Sequence, residues 1–240
     1  MADARTAEIA ANLADVRERI ANACAAAGRD PREVTLVVVT KTWPADDVVR
    51  LAELGVTDVG ENRDQEAAPK ADATRELDLT WHFIGQLQTN KAAAVARYAD
   101  VVHSVDRLAL VQALEKGAAK AGRTLDCLVQ VNLDPDATPE TGAPGHRGGA
   151  AADEVADIAA AIGSAEHLRL RGVMGVAPLG ADPAPAFARL GDALAALRVD
   201  YPALDVMSAG MSDDLEQAVA AGATHLRVGS SVLGSRASRG

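Results

Sequence analysis

The sequence predicts an α/β protein, a closed (β/α)8 TIM barrel preceded by one extra helix. Three observations carry that expectation. First, short apolar runs alternate regularly with longer segments of helical periodicity along almost the whole chain. Second, runs such as Thr35-Leu36-Val37-Val38-Val39-Thr40 are β-branched and lack polar alternation, as strands buried on both faces are. Third, 240 residues is a common length for one such barrel. A doubly wound open sheet is the alternative, but it rarely needs so many strands in so short a chain.

The elements follow in order. From Thr6 to Ala27, Ile9, Ala10, Leu13, Val16, Ile20 and Ala23 recur at helical spacing, and Gly28 and Pro31 end the helix. Strands are expected near 34–40, 57–61, 80–84, 101–105, 125–132, 169–176, 204–208 and 224–228. Helices are expected near 45–55, 63–76, 87–98, 107–121, 151–163, 184–199 and 213–221. No domain boundary interrupts the series, so residues 1–240 read as one domain. The connection from Asp134 to Gly149 is rich in Pro, Gly and Thr. It follows strand 5 and therefore lies on the face where barrels keep their sites.

Composition excludes several classes. A formal net charge of −10 offers no basic field for nucleic acid or anionic lipid. Cys24 and Cys127 read as free core thiols of a reducing compartment. The start, Met1-Ala2-Asp3-Ala4-Arg5, lacks the apolar region of a signal peptide, and no run is long enough to span a membrane. The expectation is a soluble cytoplasmic protein.

Ligand chemistry in a barrel sits at the C-terminal ends of the strands. Lys41 closes strand 1. An ammonium there is expected to be partly desolvated, so that it yields a neutral amine able to form a Schiff base. The alternative is a lysine extending into solvent. Strand 2 ends in Gly60-Glu61-Asn62. The loops after strands 7 and 8 resemble a phosphate cradle, with Gly210 and Gly229 allowing close backbone approach and Ser208 and Ser230 offering hydroxyls. Ser212 is assigned mainly to the N-cap of the following helix, with Asp213 and Glu216 as a capping-box-like pair. Arg227 alternates against Leu226 and Val228 and so points into the barrel, where it needs acceptors. An ion pair with Glu61 is one possibility. The histidines show no metal spacing. His82 and His103 read as polar barrel-lining residues.

Several segments then resemble a known family in both order and spacing: Val39-Thr40-Lys41, Gly60-Glu61-Asn62-Arg63, the run from His82 to Lys91 (HFIGQLQTNK), Arg171-Gly172-Val173-Met174, the run from Ser208 to Asp214 (SAGMSDD) and Arg227-Val228-Gly229-Ser230. The chain resembles the pyridoxal phosphate homeostasis protein family, which shares its barrel with the N-terminal domain of bacterial alanine racemase. The resemblance implies pyridoxal 5′-phosphate (PLP) as cofactor, held as a Schiff base on Lys41. It places Asn62 near lysine and ring, Ser208, Gly229 and Ser230 at the phosphate, with Gly210 in the same loop, and Arg227 facing the pyridine nitrogen. It implies a protein that buffers PLP and delivers it, with PLP-dependent apo-enzymes as partners, rather than an enzyme. Three positions depart from the family pattern. Arg147-Gly148-Gly149 replaces a Lys-x-Gly motif, Leu233 replaces a phenylalanine, and Asp64 stands where an apolar residue is usual, so a more acidic entrance is expected.

The residues support a binder over two enzymes. A racemase needs a second acid/base opposite the lysine. Tyr98 and Tyr201 each precede a strand and are expected on the far face of the barrel. Weak racemase-like activity is the alternative reading, and an aldolase-like barrel with Glu61 as acid/base is another. A monomer without nucleic-acid or membrane partners is expected.

Overall fold

The computed structural model describes residues 3–134 and 148–234. Within them the strands are β1 (Thr35–Val39), β2 (Asp58–Glu61), β3 (Thr80–Phe83), β4 (Val101–Val105), β5 (Leu125–Gln130), β6 (Leu168–Met174), β7 (Val206–Ser208) and β8 (His225–Val228). Each pairs in parallel with the next, and β8 closes on β1 through Thr35 opposite His225 and Val38 opposite Val228. The expected (β/α)8 barrel is therefore the observed one.

The barrel has two layers of side chains. Val38, Phe83, Val102, Cys127, Val173 and Leu226 face outward into the core shared with the helices. Inside the barrel, Leu128, Met174 and Val206 form a small apolar plug. Beside that plug the inward positions are polar: His82, His103, Ser208 and Arg227 are all buried. Cys24 and Cys127 are buried free thiols, as expected.

The helices are α1 (Ala4–Ala26), α2 (Ala45–Glu53), α3 (Asp64–Ala73), α4 (Ala92–Val95), α5 (Leu108–Ala121), α6 (Val155–Gly163), α7 (Ala184–Leu197), α8 (Leu215–Ala220) and α9 (Ser230–Leu233). Helix α1 starts where Asp3 caps the Thr6 amide at 2.7 Å. It buries Ile9, Leu13, Val16 and Ile20, each burial stabilising by about 1.5–3 kcal/mol. The helix is more than an addition to the barrel, because it holds the loops after β7 and β8. Arg19 donates to the Ser212 carbonyl at 3.0 Å, Asn12 to the Val232 carbonyl at 3.0 Å and Arg5 to the Leu233 carbonyl at 2.9 Å.

Several expected boundaries move. The helix expected over 87–98 shrinks to a 3-10 turn, Thr89–Lys91, and the single turn α4, with residues 87 and 88 in the loop that leaves β3 and Leu87 buried in the core. Strand β7 keeps only three residues of the expected five. Helix α9 was not expected. Of the long connection only Asp134, Gly148 and Gly149 are described. Residues 135–147, including Arg147, lie outside the described residues. No helix among the described residues is long and apolar enough to cross a membrane.

Candidate functional site

A cavity of ≈ 630 Å³ opens at the C-terminal ends of the strands. Its floor and apolar wall come from Val39, Ile84, Met174 and Val176. Its polar lining comes from Lys41, Asn62, Gln86, Gln130 and Arg227, together with Met211-Ser212-Asp213 from the β7 loop and Gly229-Ser230 from the start of α9. Of the expected site residues, Lys41, Asn62, Arg227, Gly229 and Ser230 meet in this one cavity.

Lys41 stands two residues beyond the end of β1 and is exposed. The desolvation expected from a strand-end position is thus absent, because the chain leaves the sheet at Thr40 and carries Lys41 into the open mouth. The buried lysine is a different one. Lys70, on α3, donates to Glu61 Oε1 at 2.5 Å and to the Thr40 carbonyl at 2.8 Å. Thr40 Oγ1 donates to the same carboxylate oxygen at 2.7 Å. Burial raises the Glu61 carboxyl, while the bonds from Lys70 and Thr40 pull it back. Glu61 therefore does not pair with Arg227, and it is not among the cavity-lining residues. An aldolase-like role for it has no geometric support.

Arg227 points into the barrel as the strand alternation required. It is 5% exposed. One guanidinium nitrogen donates to Ser208 Oγ at 2.5 Å and another to the Gly175 carbonyl at 2.9 Å. Burial lowers its pKa to about 10, so it stays charged at neutral pH.

Ser208 and Gly210 occupy places different from those expected. Neither is among the cavity-lining residues. Ser208 is fully buried, and its Oγ lies between Arg227 and His103, whose Nδ1 is 2.9 Å away. His103 Nε2 lies 2.8 Å from His82 Nδ1, and His82 Nε2 lies 3.0 Å from Asp58 Oδ1. The two ends of this chain have a fixed polarity. Arg227 can only donate and an ionised Asp58 can only accept. His82 Nε2–H donates to Asp58, and Ser208 Oγ accepts from Arg227. Burial, reinforced by His82 and Arg227, pushes His103 well below the usual histidine range and keeps it neutral. Burial raises the Asp58 carboxyl, but bonds from His82 and Thr57 outweigh it and the net shift is downward. Gly210 has φ +92°, and a Cβ there would lie 2.6 Å from the Ala218 side chain. Its role is to turn the chain behind the cavity wall.

Sequence reasoning under-used Ser212. Asp214, not Ser212, occupies the N-cap position of α8 and accepts from the Met211 amide at 2.6 Å, and Glu216 pairs with Arg19. That frees the Ser212 hydroxyl for the cavity, where it lies 3.2 Å from the Ser230 hydroxyl. At the opposite rim, a Cβ on Gly85 would lie 2.2 Å from the Asn62 carbonyl, so only glycine lets the β3 loop close against the β2 end. Asp64 does not line the mouth. It is mostly buried and its carboxylate lies 3.9 Å from Lys91. Tyr98 packs edge-on against Trp81, Tyr201 lies against Gly163, and neither lines the cavity. Leu233 is buried.

The fold and site define a class: a parallel barrel with a lysine after β1, an arginine projecting inward from β8 and a hydroxyl-lined pocket over the β7 and β8 loops. Residues 7–237 match the family described as alanine racemase, N-terminal domain. The pyridoxal phosphate homeostasis protein of Escherichia coli (strain K12) is 36% identical over 235 residues, covering 95% of this chain and 97% of its own. That of Mycobacterium bovis is 41% identical over 251 residues, covering 97% and 94%. Among solved structures, PipY of Synechococcus elongatus PCC7942 with PLP bound is 34% identical with a TM-score of 0.79, covering 94% of this chain and 100% of its own. The chain belongs to the pyridoxal phosphate homeostasis protein family, within the alanine racemase N-terminal domain fold.

Proposed function

We propose that this protein binds PLP in the cavity above β1, β7 and β8, and that it buffers the cofactor and delivers it to PLP-dependent apo-enzymes. One observation carries the reading: Lys41, Arg227 and the hydroxyl pair Ser212 and Ser230 line a single cavity of ≈ 630 Å³. Bound there, PLP supplies an aldehyde able to condense with a lysine amine, releasing one water, and a phosphate dianion. Lys41 is the cavity lysine and takes the aldehyde. The Ser212 and Ser230 hydroxyls, with the amides that open α9, take the phosphate. Asn62 and Arg227 line the same cavity, Asn62 for the lysine and ring and Arg227 for the pyridine nitrogen.

A carrier, rather than a racemase, is the reading these residues support. Removing a proton from one face and returning it to the other needs two positioned groups. Lys41 serves one, and the two tyrosines lie outside the cavity. An arginine at the ring nitrogen disfavours its protonation and weakens the cofactor as an electron sink. The same reading has the protein act in the cytoplasm as a monomer, meeting apo-enzymes transiently. Adding PLP to the apo-protein and recording its visible absorption tests the binding. Mixing loaded protein with a PLP-dependent apo-enzyme, and comparing its activation with that by free PLP, tests delivery.

A further inference from the structure

We infer that Glu66 and Lys70, one turn apart on α3, are positioning residues that fix the backbone on both sides of Lys41. The inference rests on the reading that Lys41 takes the PLP aldehyde. Lys70 Nζ donates to the Thr40 carbonyl at 2.8 Å, which belongs to the peptide group preceding Lys41. Glu66 Oε2 accepts from the Thr42 amide at 2.8 Å, which belongs to the peptide group following it. Both peptide planes that flank the lysine are therefore tied to the same helix.

The second tie matters more because of Thr42. Its φ is +67°, making it the one non-glycine residue with positive φ among the described residues. A β-branched residue avoids this region, and it stays there only where its surroundings hold it. The Glu66 carboxylate is the holder on the amide side, and a turn bond from the Trp43 amide to the Thr40 carbonyl at 3.1 Å closes the other. Lys41 leaves β1 at this bend, so the bend sets the direction of its side chain into the cavity. Holding the bend in advance removes an orientational cost from the joining of amine and aldehyde. Lys70 is itself fixed by the buried Glu61, which anchors α3 to the end of β2.

Two probes separate positioning from general damage. PLP links to the lysine, whereas pyridoxamine 5′-phosphate carries the same ring and phosphate but no aldehyde. Glu66→Leu should weaken PLP affinity about tenfold or more and slow the appearance of its visible band, while pyridoxamine 5′-phosphate affinity stays within about twofold. Glu66→Gln keeps an acceptor oxygen and should restore PLP binding. Thr42→Gly in the Glu66→Leu background should also restore it, because glycine holds a positive φ unaided. Lys70→Met with Glu61→Gln removes both buried charges together and should slow PLP linkage in the same way. Wild-type PLP behaviour in Glu66→Leu, or equal losses for both probes with no rescue, overturns the inference, and wild-type linkage in the Lys70–Glu61 double variant overturns its Lys70 half. Failure of the wild-type protein itself to link PLP at Lys41 refutes the underlying reading, and the inference with it.

Discussion

Nδ1 of His103 lies 2.9 Å from Oγ of Ser208, which commits the Ser208 hydroxyl to the interior of the barrel and not to its mouth. Ser208→Ala would leave both His103 and Arg227 short of a buried partner. Stability should fall by about 1–3 kcal/mol, measured by urea unfolding of the apo-protein. Ser212→Ala and Ser230→Ala touch only the cavity and should stay within about 0.5 kcal/mol of the parent in that assay. Each should instead weaken PLP retention roughly tenfold to hundredfold, the worth of one hydrogen bond to a dianion. Equal stability losses in all three variants would contradict this division of roles.

Acid should destabilise the protein through the same interior. Burial, with the neighbouring His82, lowers His225 from 6.5 to about 4, and burial also holds His103 well below the usual histidine range. Both therefore bind protons more readily when unfolded. Their contribution is fully present above pH 6.5 and is lost as pH falls from there through the folded values. For His225 the expected slope between pH 6.5 and 4 approaches about 1.4 kcal/mol per pH unit, and His103 adds to it in the same direction. Urea midpoints taken across that range check it, and His225→Gln should flatten the slope by one proton's worth.

The N-terminal helix should matter to ligand binding at a distance. Arg19 pairs with Glu216, an exposed pair worth little by itself, but it also donates to the Ser212 carbonyl. Arg19→Ala should leave the unfolding free energy within about 1 kcal/mol while weakening PLP retention about twofold to tenfold. Isothermal titration with PLP measures it. Unchanged affinity would mean that the β7 loop holds its shape without α1.

Much of this was legible in the sequence, and the failures share a cause. The β-branched runs of β1 and β4 marked those strands because burial on both faces leaves a local signature, and the regular alternation with helical segments marked the others. Arg227 was legible because Leu226 and Val228 flank it at period two. What stayed hidden was long-range pairing between side chains. Lys70 shares its helix face with Ala67, Ala71 and Thr74, a spacing that does place it inward, but nothing local shows that Glu61 waits there. The fate of Ser208 depended on His103, 105 positions earlier. Ser212 looked like a cap because it precedes Asp213 and Glu216, whereas Asp214 holds that position and Glu216 turns to Arg19. The run from 87 to 98 looked helical because alanine favours helix, yet only Ala92–Val95 form an α-helical turn, after Leu87 has turned into the core and Thr89–Lys91 have formed a 3-10 turn.

The central claim is that Lys41 is the residue that carries PLP. Its most direct test is borohydride reduction of PLP-loaded protein followed by peptide mapping, with the visible spectrum recorded beforehand. The account predicts a single modified peptide carrying the pyridoxyl group on Lys41, and loss of the visible band in Lys41→Ala. A pyridoxyl group on Lys70 or Lys91, or a visible band that survives in Lys41→Ala, would contradict it.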